Sequence, residues 1–76
     1  MDLILEDADR NVAGVEVKAS TAVRQSGFRS LSLLRDDLCT RFRLGIVLYA
    51  GQRALPFGDR LLALPHSAVW AADDMT

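Results

Sequence analysis

The sequence predicts a small α/β domain with a mixed sheet, in the order β-β-α-β-β and with a short helical turn at its end. Three observations carry this. Two β-rich runs flank a short polar turn near the N-terminus. A helical apolar period follows, in which Phe28, Leu31, Leu34, Leu38 and Phe42 recur at three- and four-residue steps. Then comes a continuous apolar run, Gly45-Ile46-Val47-Leu48-Tyr49-Ala50, as a strand buried on both faces requires.

Each element has its local reason. Asp2 to Glu6 is apolar between acidic ends, and Val12 to Ala19 carries β-branched Val12, Val15 and Val17. Asp7-Ala8-Asp9-Arg10-Asn11 is a turn rich in Asp and Asn, so residues 2–19 form a hairpin. The helix is expected over 27–43, after Ser26 as N-cap. Arg35 lies within its apolar stripe and has to snorkel outward, and Leu33 lies on the opposite face. The strand over 45–50 follows a helix, so it is expected parallel to a neighbour. Gly51 to Gly58 is turn-rich, a further strand spans 59–64, Pro65 ends it, and 66–71 is a terminal turn with Trp70 packed inward.

Composition excludes several classes. Seventy-six residues allow one small domain, 1–76. Nine basic against ten acidic residues give a net charge of −1, which does not support strong nucleic-acid binding. One cysteine, Cys39, and one histidine, His66, exclude an intramolecular disulfide and a structural zinc site, and fit a reducing cytoplasm. No apolar run is long enough to span a membrane, and the acidic N-terminus is not a signal peptide. Eight of the nine basic residues are arginine; Lys18 is the only lysine.

One constellation could carry chemistry. Glu16 and Lys18 share a strand face, as do Asp2, Ile4 and Glu6. If the hairpin pairs residues whose numbers sum to an even value such as 18, Asp2 stands opposite Glu16. An odd sum would turn it to the wrong face. Opposed carboxylates need a positive partner, either Lys18 or a divalent cation. Mg²⁺ (or Mn²⁺) accepts one or two carboxylates plus waters, and an adjacent lysine can stabilise charge on a phosphate. The plain alternative is a solvated strand face with a cross-strand ion pair. Plain readings also fit the other polar residues. Glu6 is a strand end, His66 a satisfied or surface histidine, and Cys39 a packed small side chain. Arg29, Arg35, Arg41 and Arg43 form a solvated face balanced by Asp36 and Asp37.

Asp, a hairpin, Glu-x-Lys on the next strand, a helix and a buried strand together resemble the PD-(D/E)xK nuclease superfamily, the restriction-endonuclease-like fold. That resemblance implies Asp2 and Glu16 as metal ligands and Lys18 as the catalytic, charge-stabilising lysine. A fuller set of blocks runs in order along the chain: Asp2 to Glu6, Gly14 to Ser20, Phe28-Arg29-Ser30-Leu31, Gly45 to Tyr49, Leu55 to Arg60, and Leu64 to Trp70. These resemble the C-terminal part of the domain of unknown function 4143, which follows a P-loop ATPase module in many prokaryotic proteins. The resemblance implies a partial nuclease-like domain whose N-terminal helix and edge strand are missing. No G-x-x-x-x-G-K-[ST] sequence is present, so this chain holds no ATPase module and no ATP site. The expected role is an accessory or interaction module of the parent ATPase. An active Mg²⁺-dependent nuclease and a purely structural module are the alternatives. A small sheet lacking those elements exposes an edge and an apolar face, so self-association as a homodimer or swapped dimer is expected, with Leu33 a candidate contact.

Overall fold

The computed structural model describes residues 2–69. Five strands form one mixed sheet: β1 (Leu3–Glu6), β2 (Val12–Val17), β3 (Phe42–Tyr49), β4 (Leu55–Pro56) and β5 (Leu61–Pro65). A single α-helix, α1 (Arg29–Leu38), lies between β2 and β3 in the chain. The spatial order is β1-β2-β3-β5-β4. The central trio β2, β3 and β5 is parallel, and the two edge strands run antiparallel to their neighbours. The α/β class and the mixed sheet are as the sequence predicts.

The hairpin is held by its turn. Asp7 Oδ1 accepts the amides of Asp9 and Asn11 at 2.8 and 2.9 Å, and Asp7 Oδ2 accepts Asn11 Nδ2 at 3.0 Å. Arg10 takes a left-handed φ of 67° to close it. The Asn11 bonds hold the Asp7 carboxyl below the usual aspartate range.

The helix is shorter than the 27–43 expected from its apolar period. Residues Gln25–Phe28 and Cys39–Arg41 are 3-10 turns, and Phe42 already belongs to β3. The reason lies in the backbone at Cys39, where φ is 52° and the α-run ends. The Cys39 carbonyl is then taken up by Arg60 Nη1 at 2.9 Å. Phe42 still faces the core, so an apolar residue at helical spacing is served by a strand instead. Cys39 itself is exposed rather than packed, because that left-handed turn carries it outward.

Two further boundaries move. β3 starts at Phe42, earlier than the expected 45. Asp59 and Arg60 form a turn, with Arg60 at φ 58°, so β5 covers 61–65 and takes in Pro65. Within the turn-rich segment, Leu55 and Pro56 pair with Ala63 and Leu62 as a two-residue edge strand. Proline is tolerated there because an edge strand leaves one side unpaired. Residues 67–69 are helical, and Trp70, expected as a core plug, lies outside the described residues.

The core sits between α1 and one sheet face. Phe28, Leu31, Phe42 and Val47 are fully buried, with Tyr49, Leu61 and Ala63 beside them. Phe28 stacks on Phe57 with ring centroids 4.7 Å apart. Gly45 lets the helix approach: a Cβ there would stand 2.9 Å from Leu61 Cδ2 and Phe42 Cζ and 3.3 Å from Leu31 Cβ. The molecule is a slab of 32 × 30 × 19 Å. That thickness accommodates one sheet and one helix layer.

Candidate functional site

The hairpin register decides where the acidic residues fall. Leu3 pairs with Val15, Ile4 with Gly14, Leu5 with Ala13 and Glu6 with Val12, so paired numbers sum to 18. Asp2 precedes β1 and lies one residue beyond the last paired position. Asp2 Oδ2 accepts the Val17 amide at 2.6 Å, which ties the start of β1 to the end of β2. Asp2 is exposed, whereas Glu16 is only 9% exposed. Its face of β2, with Val12 and Gly14, is the one that looks toward the helix layer. A carboxylate in such a position is informative, since acids are rarely buried without a task or a partner.

Lys18 lies just past β2 on the same face. Its amide donates to the Leu48 carbonyl at 2.7 Å, so the extended backbone continues through it. Its Cε passes 3.9 Å from where a Cβ on Gly27 would stand. There Lys18 lines a cavity of about 310 Å³ with Ser20, Val23, Arg24 and Ser26 among its walls. The cavity opens beyond the carboxyl ends of the parallel strands, where open α/β sheets place their ligands. Ser20 is occupied locally, donating to the Ala22 carbonyl and accepting the Ala22 amide. Strand alternation therefore puts Glu16 and Lys18 on one face, with Lys18 directed toward the turn that precedes α1, while the Asp2 carboxylate is bonded to the Val17 backbone at the sheet edge.

As a donor set for a cation, Asp2 and Glu16 offer hard carboxylate oxygens of the kind Mg²⁺ takes, with water completing its shell. One Asp2 oxygen is already engaged by Val17. Among the described residues no group of three or more His, Cys, Asp or Glu side chains converges on a point.

Three arginines, Arg35, Arg41 and Arg60, serve the fold. Arg35 donates to the Asp59 carbonyl and to Asp36 Oδ1, both at 3.1 Å, which satisfies a guanidinium inside the apolar stripe. Arg41 donates to the Arg10 carbonyl at 3.0 Å. Arg60 donates to the carbonyls of Cys39 and Phe42, pairs with Asp59 at 2.9 Å, and lies 5.8 Å from the Phe42 ring centroid. The Arg60 hydrogen bond lowers the Asp59 pKa, and the Asp59 bond raises that of Arg60. Arg35 and Arg41, expected on a solvated face, instead bind carbonyls of other segments. The long-range carbonyl bonds of Arg35 and Arg41 leave no sequence signal. His66 Nε2 is buried without a hydrogen-bond partner among the described residues, so the expected satisfied or surface histidine is only half met.

The profile for a domain of unknown function, DUF4143, matches residues 1–69. The chain belongs to the DUF4143 family. The match takes in the hairpin with Asp2, Glu16 and Lys18, the helix and the whole sheet. No curated protein and no solved structure matches the chain. Among the described residues no helix is long and apolar enough to cross a membrane.

Proposed function

We propose that this DUF4143 chain is a nuclease-like accessory module of a prokaryotic P-loop ATPase, working in the cytoplasm by binding partners and not by turning over substrate. The observation that carries the reading is the Asp2 contact. A carboxylate at the expected metal-ligand position spends an oxygen on the Val17 amide at 2.6 Å and stands exposed, whereas Glu16 is nearly buried. Strand pairing thus draws on a group that catalysis would need for a metal. The net charge of −1 adds little attraction for a polyanion.

A second reading, Mg²⁺-dependent phosphodiester hydrolysis, is supported by the nearly buried Glu16 with Lys18 two residues on along the same face, and by Asp2 held to the neighbouring Val17. In it, Asp2 and Glu16 would hold the cation, which would supply Lewis-acid stabilisation of a phosphate. Lys18 would carry positive charge toward the same phosphate.

Manganese titration separates the two. The accessory reading expects no Mn²⁺-dependent rise in Tm and no cleavage of single- or double-stranded DNA with Mg²⁺ or Mn²⁺. Association with the ATPase module should survive Glu16→Ala. Cleavage that Glu16→Gln and Lys18→Gln each reduce by roughly a hundredfold or more would establish the nuclease instead.

A further inference from the structure

We infer that the cavity before α1 is a binding site for a phosphate monoester, held by Lys18 and Arg24 with the Ser26 hydroxyl. Topology brings these groups together. β2 ends at Val17, yet the Lys18 amide still bonds to the Leu48 carbonyl of β3 at 2.7 Å, which fixes where the lysine leaves the sheet. Ser20 stays beside β3, its carbonyl accepting the Ala50 amide at 2.9 Å, and its hydroxyl bonds to both the amide and the carbonyl of Ala22. Arg24 is extended, at φ −115° and ψ 164°, and the next residues, Gln25–Phe28, form the 3-10 turn. The Lys18 stem lies against Gly27 in that turn: a Cβ there would stand 3.9 Å from Lys18 Cε and 3.8 Å from Val23 Cγ1. Lys18 and Arg24 therefore line one cavity of about 310 Å³, with Ser26 on its wall.

Charge and donor chemistry name the ligand. Among the described residues the walls carry two cations and two hydroxyls and no carboxylate. Among the same residues the side chains of Lys18, Arg24 and Ser26 have no hydrogen-bond or ion-pair partner. Two clefts elsewhere that hold arginine differ. Asp36 and Asp59 share the walls with Arg35 and Arg60 in one, and Glu6 and Asp7 with Arg43 in the other. Glu16, two residues before Lys18, is nearly buried and does not line the cavity. Two positive charges facing one cavity with no acid between them are offset best by a dianion. A phosphate monoester carries about −1.5 to −2 at neutral pH and offers three strong acceptor oxygens, where a phosphodiester or a carboxylate carries a single charge. An ammonium brings rotatable donors to such a group, and a guanidinium takes two of its oxygens at once. The cavity has room for a phosphoryl group with part of its carrier, and it opens where open α/β sheets take their ligands. The inference goes beyond the accessory reading and needs neither Asp2, Glu16 nor a metal.

NMR titration of the isotopically labelled chain tests it, at low ionic strength with EDTA present, and circular dichroism confirms that each variant is folded. With a nucleoside monophosphate as probe, saturable shifts are expected at the amides of Lys18, Ser26 and Gly27 and at Arg24 Nε. Lys18 and Arg24 are exposed, so Lys18→Gln and Arg24→Gln leave the fold intact. Each should weaken binding about tenfold or more, while Arg43→Gln leaves it unchanged. Affinity should fall as pH drops through ~6, where the monoester loses its second charge, and the corresponding cyclic diester should bind about tenfold more weakly or worse. Inorganic phosphate and a terminally phosphorylated oligonucleotide identify the carrier. A gain with the nucleoside over inorganic phosphate assigns a free nucleotide, and a gain with the strand that its unphosphorylated form lacks assigns a strand end. No saturation in the millimolar range overturns the inference. So does an equal loss in Arg43→Gln, or a preference for the diester or for the unphosphorylated strand. Binding that appears only with Mn²⁺ and fails in Glu16→Gln also overturns it, and would support the nuclease reading instead.

Discussion

At the scale of single residues, this chain uses arginine as a backbone clamp. Arg35, Arg41 and Arg60 each donate to main-chain carbonyls far away in sequence. A planar guanidinium can reach two acceptors at once and still pair with a carboxylate, as Arg60 does with Asp59. That accounts for part of a basic complement that is almost all arginine. Asp7 makes the comparable contact from the acidic side, and its pKa sets a pH dependence. A carboxyl whose folded pKa lies below its unfolded value near ~3.9 stabilises the fold fully above that value. The contribution is lost as pH falls through the folded pKa. Because Asp7 is held low chiefly by Asn11, the hairpin should loosen below about pH 4. Hydrogen exchange should report this in the amides of Asp9 and Asn11 first. Asp7→Ala should abolish that part of the acid dependence and lower Tm at neutral pH. An unchanged acid profile in Asp7→Ala would contradict this.

At the scale of elements, the helix and the sheet meet through Gly45. Its missing side chain leaves room for Leu31, Leu61 and Phe42, all of which are buried. Two of the contacts a methyl would make, at 2.9 Å, are too short for any real Cβ. Gly45→Ala is expected to cost ~1–3 kcal/mol as the buried Leu61 and Phe42 side chains are displaced and Leu31 of the helix gives way. Phe28→Ala empties a fully enclosed site, against Phe57, and should cost ~3–5 kcal/mol. Urea denaturation measures both; a Gly45→Ala midpoint equal to wild type would show that the helix yields without penalty. The helix boundary was only partly legible in the sequence. Phe28 to Leu38 follow the helical period, but Phe42 keeps that period while sitting in β3. Periodicity reports which side chains reach the core, not which backbone carries them there. The break at Cys39, a positive φ without a glycine, had no local signature, since the Arg60 bond to its carbonyl comes from a turn 21 residues away.

At the scale of the whole molecule, a two-layer slab packs α1 on one sheet face, while on the other Ala68 and Val69 wall a groove with Val15, Ile46, Leu48 and Leu64. The candidate site also belongs to this scale: Asp2, Glu16 and Lys18 come from both strands of the hairpin, and Lys18 reaches the cavity before α1 only because β2 and β3 stay paired through Leu48.

The sequence by itself determined the α/β class, the hairpin and the parallel run after the helix. Each depends on local turn chemistry or on a short hydrophobic period, which neighbouring residues encode directly. Tertiary structure decided the register that sums to 18, the early end of the helix, the two-residue edge strand and the carbonyl contacts of the arginines. It also decided which sheet face the helix covers and which it leaves open. These depend on pairings between residues far apart in the chain, where a one-residue slip would reverse every face. No local pattern carries that information.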